Sequence, residues 1–296
     1  MRDSEPNERP RRPQFTVSAG VLWLPWAIVT TGVIVTYSRL SPGVLYHVSG
    51  SGLGGGLGRA LVLLDFPIAL AALPVIWLSA DRLRESRLAV VGAIAGTILC
   101  LVVFVPGVVD QQDLDWRPVN LLAAIGVALA VALGIVSGLF EARVPVRRRA
   151  LVGVVIVLVL SLPWLVAEWG FHLDSVPLLG WIFLTGTEVD GHAAVHLGHH
   201  HGMDGVLLLL SALPLIPLSR DVRGTRLRLV IQCYAGLQIV YGLANAVQDG
   251  WGEQLWKRGW VDWQIPVVLH PEPSIPWLAM LTAAAILSLL IIRSDR

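Results

Sequence analysis

Five of the chain's eight histidines fall between residues 192 and 201, inside the stretch VDGHAAVHLGHHHGMDG (189–205). Neutral imidazole is a common ligand for zinc, iron, copper and nickel. If residues 192–204 are helical, His192, His196 and His200 recur every four residues, and His199 lies one turn beyond His196 on nearly the same face. A protonated stack of this kind would repel itself, whereas a bound cation would use its lone pairs. His192, His196, His199 and His200 are therefore the candidate metal ligands, which leaves His201 to face solvent or lipid headgroups. Asp190 and Asp204 flank the cluster and could ligate the ion or orient its ligands. A divalent transition metal, zinc or iron, is the cofactor this donor set implies. The cluster lacks the glutamate that supplies the general base of HExxH, and Gly198 and Gly202 weaken a helix here. A histidine-rich outer loop, a pH-sensing patch and a polar cap on a membrane span stay open beside metal binding. The pattern assigns the chain to no family.

A base would have to come from elsewhere, and a second stripe offers one. In LVIQCYAGLQIVYGLANAVQDGWGEQ (229–254), Tyr234, Gln238, Tyr241, Asn245, Asp249 and Glu253 recur every three or four residues. They form a polar line down an otherwise apolar helix. Gln238, Tyr241 and Asn245 suit hydrogen bonding between helices. Asp249 and Glu253 sit at one end of the line, and carboxylates in or near a span are costly and face the bundle interior. They are the candidate acid/base groups, or further ligands. Glu168 and His172, four apart, and Asp65 are further pocket candidates at the same depth. The bland alternatives are snorkelling for Glu168 and pairing of Asp65 with Arg59 or Arg117.

The elements that must position these groups follow from hydropathy. Mean hydropathy is +0.68, only 15% of residues are charged, and apolar runs recur along all 296 residues. A spanning helix needs roughly 20 apolar residues, and runs this long without alternation are helices rather than barrel strands. The fold expected is all-α: a polytopic membrane protein with about eight spans, near 17–37, 60–79, 88–108, 119–140, 150–170, 202–218, 228–248 and 274–292. These spans form a single domain, behind a disordered tail over 1–16. The first run has no small-residue cleavage pattern and is expected to be a retained anchor.

Seventeen of the 22 basic residues lie in the tail, in alternate loops and at the C-terminus, among them Arg82, Arg143, Arg220 and Arg293. The other loops hold only Arg39, Arg59, Arg117, Lys257 and Arg258. By the positive-inside rule both termini are cytoplasmic and the histidines are extracytoplasmic. The predominance of arginine over lysine points to a GC-rich bacterial genome. Tryptophans from Trp116 to Trp277 gather on the histidine side, as an interfacial belt would. WGEQLWKRGWVDW (251–263) is dense enough to lie along the outer surface. SGSGLGGGLGR (49–59) reads as a flexible outer loop, without the ending a P-loop needs. Cys100 and Cys233 read as buried apolar residues. The charge is sorted by loop and forms no basic face, which excludes nucleic acid as a partner; membrane lipid is the partner expected, and the oligomeric state stays open.

Three functions fit, of which the pattern favours the first. The first is a membrane-embedded metal-dependent hydrolase or oxidase acting on a lipid-like substrate, with Asp249 or Glu253 taking a proton from metal-bound water. The second is a metal-ion or proton-coupled transporter using the polar stripe. The third is a non-catalytic factor that responds to metal or pH.

Overall fold

The computed structural model describes residues 15–39, 50–105, 107–108, 115–146, 148–169, 188–189, 192–193, 201–269 and 272–295. The described residues are mostly helical, 76%, as expected of an all-α membrane protein. In order it forms strand β1 (Phe15–Ser18), helices α1 (Ala19–Arg39), α2 (Gly52–Arg82), α3 (Arg87–Leu101) and α4 (Asn120–Val136), and strand β2 (Arg143–Val146). Helices α5 (Arg148–Leu160) and α6 (Leu162–Glu168) follow, then the two-residue strands β3 (Glu188–Val189) and β4 (His192–Ala193). The chain ends with α7 (His201–Ala212), α8 (Leu215–Arg220), α9 (Thr225–Trp251) and α10 (Ile275–Ser294). Among the described residues, six helical segments are long and apolar enough to cross a membrane: Ala19–Arg39, Leu64–Arg82, Arg87–Phe104, His201–Arg220, Thr225–Trp256 and Ile275–Ser294. Two shorter apolar helices, Asn120–Val136 and Leu151–Leu160, fall on the remaining two runs.

The less enclosed helices expose apolar side chains on one face. On α3, Val91, Ile94, Ile98 and Leu101 form an exposed stripe, while Ala93, Gly96 and Cys100 are buried. The buried side is built for close approach, because a Cβ on Gly126 of α4 would stand 2.7 Å from Cys100 Sγ. Helices α2 and α7–α8 are the most enclosed spans, with α1, α3, α4 and α7 packed on α2, and α9 packed on both α7 and α10.

The glycine-rich stretch expected to be a loop is instead the start of α2. Its glycines let two backbones meet. A Cβ on Gly56 would run into Ile34 O and Ser38 Oγ of α1, and one on Gly58 would lie 2.7 Å from Trp116 Cδ1. Small residues at helix crossings are the membrane solution to packing without a hydrophobic driving force. They outweigh the roughly 1 kcal/mol that each glycine costs a helix.

The arginine-bearing ends adjoin one another. β1 pairs antiparallel with β2, Ser18 opposite Arg143, which ties the start of α1 to the loop after α4. Arg82 Nη1 donates to Gly138 O at 3.2 Å. Arg223 N donates to Asp81 Oδ2, and Arg220 Nε donates to Asp295 Oδ1 at 2.7 Å. Five segments distant in sequence thus share one end of the bundle, and the candidate site lies at the far end.

Candidate functional site

The far-end site is built on the crossing of α7 and α9. A Cβ on Gly205 would collide with Gly242 O and lie 2.7 Å from Ala246 N; one on Gly242 would lie 2.7 Å from Gly205 O. Two bare backbones therefore touch, and the polar stripe of α9 is held against α7. Gln238 Nε2 donates to Ser211 Oγ at 2.8 Å and to Leu208 O at 3.1 Å. Tyr234 OH donates to Leu70 O of α2 at 2.7 Å, Tyr241 OH to Leu269 O at 2.9 Å, and Asn245 Nδ2 to Tyr241 O at 2.9 Å. The stripe fastens α9 to three neighbouring segments; Gln238 bonds across to α7 as its spacing led one to expect, whereas Tyr241 reaches a loop carbonyl and Asn245 bonds within its own helix.

Both carboxylates singled out as acid/base candidates are buried and engaged. Asp249 Oδ2 accepts the Gly202 N–H at 2.8 Å. That amide is one of the orphan donors at the start of α7, and a negative charge there is favoured by the helix dipole. Gly202 has to be glycine for this approach, since a Cβ would stand 2.6 Å from Asp249 Oδ2 and would strike the Trp164 ring. Trp164, from α6, is itself 4% exposed and closes the joint. Glu253 lies in a π-helical turn, Gly252–Trp256, that extends α9. It accepts from Lys257 Nζ one turn on.

A small cavity opens beside this clasp, lined by Phe66, His201, Asp204, Tyr241, Asn245 and Leu269. Its space of about 10 Å³ is at the threshold for one water molecule, about 10–15 Å³. His201 Nδ1 stands 3.8 Å from Asp204 Oδ2, close enough to pair when the imidazole is protonated. Asp65, 3% exposed, precedes Phe66 in α2. Its Oδ2 accepts from Asn120 Nδ2 at 3.2 Å, and Asn120 Oδ1 accepts from Arg117 N at 2.8 Å. Arg59, expected as a possible partner of Asp65, is buried with its guanidinium 5.3 Å from the Tyr37 ring centroid.

The expected histidine stack is corrected at its first member. His192 belongs to β4, where it pairs with Val189, so no helix runs from 192 to 204; α7 begins at His201. The residues between Val189 and His192 are Asp-Gly, a sequence that favours two-residue hairpin loops. That signal was present in the sequence and was overridden by the histidine spacing. His201, assigned to solvent or headgroups, instead has a side chain only 16% exposed and faces Asp204; its i, i+3 spacing from Asp204 was the clue. Asn120, Lys257 and Trp164 were also missed. Only Lys257 had a simple signal, four residues after Glu253. Glu168 closes α6. Asp190, His172, His196, His199 and His200 lie outside the described residues. Among the described residues, no three His, Cys, Asp or Glu side chains converge to hold a metal ion. The chain matches no family model, no curated protein and no solved structure.

Proposed function

We propose that the chain is an eight-span membrane protein with both termini in the cytoplasm, and that its extracytoplasmic rim binds a divalent transition metal, zinc or iron. Support for eight spans comes from the six long helices and the two shorter apolar ones that coincide with the hydropathic runs. Support for the orientation comes from the gathering of arginine-bearing ends. Imidazoles with one or two carboxylates suit zinc or iron.

The observation that carries the metal reading is the 2.8 Å bond from Gly202 N to Asp249 Oδ2. It brings the far end of α9 against the first turn of α7, directly after the histidine run, so Asp204 and Asp249 supply negative charge beside it. A cation at a helix N-terminus is opposed by the dipole, and these two carboxylates offset that opposition.

Of the three functions open from sequence, this geometry best supports a non-catalytic, metal- or pH-responsive membrane factor. A general base must be able to reach and take up a substrate proton, yet Asp249 Oδ2 is engaged by the Gly202 N–H and Glu253 is paired with Lys257. An ion bound by the histidine run instead acts on the α7–α9 joint, tightening or loosening it through Asp249.

Elemental analysis of detergent-purified protein tests the reading. Wild type is expected to carry about one metal per chain and His196→Ala to lose it; a metal-free wild type ends the proposal. In sealed vesicles, metal accumulation that depends on Gln238 and Asn245 would move the assignment to a transporter. Chemical change in an outer-leaflet lipid would move it to an enzyme.

A further inference from the structure

Far from the histidine end, α1, α2 and α4 enclose a cavity of about 340 Å³. Its wall includes Trp23, Trp26, Ile68, Ala72, Ala130 and Phe140. The two hydroxyls on it are already spent, Thr30 Oγ1 on Trp26 O at 2.7 Å and Thr31 Oγ1 on Ala27 O at 2.8 Å. The wall therefore has no threonine donor to offer a polar ligand; the buried Trp26 indole N–H, without a partner among the described residues, leaves one donor that an ester oxygen can meet, and the rest of the wall suits hydrocarbon. Its volume is at the low end for ligand pockets, about 300–1,000 Å³, which is room for part of one chain rather than a whole lipid. The mouth is formed by the exposed residues Ala27, Thr31 and Val131, so it opens where the bilayer lies.

One end of the cavity reaches the arginine-bearing side of the bundle. Phe140 lines it, and Phe140 O accepts the Gly20 N–H at 2.9 Å. Two arginines are placed beside Phe140. Arg82 is exposed and bonds to Gly138 O, two residues before it. Arg143 is exposed and stands opposite Ser18 at the foot of α1. An apolar slot with one end near the chain segment that Arg82 and Arg143 adjoin has the polarity of an anionic phospholipid: acyl chain within, phosphate at the rim.

We infer that the α1–α2–α4 crevice is a binding site for an anionic glycerophospholipid of the leaflet on the arginine side, with one acyl chain in the cavity and its phosphate held by Arg82 and Arg143. The inference rests on the helices spanning a bilayer and is independent of any metal at the far end.

Native mass spectrometry of the full chain in non-ionic detergent, titrated with phosphatidylglycerol or phosphatidylcholine of matched chains, tests it. Wild type is expected to retain one phosphatidylglycerol in preference to phosphatidylcholine. Arg82→Gln and Arg143→Gln should each weaken phosphatidylglycerol about fivefold and leave phosphatidylcholine unchanged, with Arg82→Lys restoring the preference. Ala27→Phe, which fills the mouth at an exposed position, should reduce both lipids; Val131→Phe is a second plug should the first variant fail to fold. Equal retention of the two lipids by wild type would overturn the inference, as would unchanged retention in a folded plug variant.

Discussion

Replacing Asp249 separates a carboxylate that holds two helices together from one kept for proton transfer. In Asp249→Ala the Gly202 N–H loses its acceptor in a joint closed over by Trp164. A hydrogen bond to a charged group contributes about 1.5–3 kcal/mol, and the charge at the helix start adds about 0.3–1 kcal/mol. The loss is thus about 2–4 kcal/mol, or roughly a 30- to 700-fold rise in local opening. Asp249→Asn keeps an oxygen acceptor and gives up only the charge, about 1 kcal/mol or about fivefold. Hydrogen–deuterium exchange read by mass spectrometry in nanodiscs measures this directly over residues 202–206. The expected order of exchange is Ala fastest, then Asn, then wild type, with peptides from α3 and α4 unaffected. If the alanine variant exchanges this turn at the wild-type rate, the clasp does not exist, and the argument against Asp249 as a free base falls with it.

Other substitutions probe the joints one by one. Gly205→Val puts a side chain where Gly242 O now sits; overpacking of this kind costs about 1–3 kcal/mol, read as a lower midpoint of unfolding in sodium dodecyl sulfate. Tyr241→Phe removes the bond to Leu269 O and should cost about 0.5–1.5 kcal/mol, seen as faster exchange around 264–269. Arg220→Gln breaks the pair with Asp295, but the arginine side chain is half exposed, so unfolding should shift by no more than about 1 kcal/mol.

The long apolar helices were legible because in lipid the backbone must bond to itself, and composition alone reports that demand. The polar residues of α7 and α9 were legible as candidates, and Asp204 and Asn245 line one small cavity. What each group touches was not. Asp249 meets Gly202 across 47 residues of chain, and Asp65 meets Asn120 across 55; neither pair leaves a local pattern. The glycine-rich start of α2 misled because glycine marks both loops and close helix crossings, and only the neighbour, here the α1 backbone at Ile34 and Ser38, decides between them. At 188–193 the histidine spacing competed with a hairpin turn sequence, and strand pairing won.

The ribbon between Phe15–Ser18 and Arg143–Val146 sets an order of events during biosynthesis. The amino-terminal strand leaves the ribosome first, yet its partner is made roughly 130 residues later, about 6–26 s at ordinary elongation rates. Until then the helix that follows it, Ala19–Arg39, lacks this tie. The pairing that fixes the foot of that helix is thus supplied by a segment from the middle of the chain.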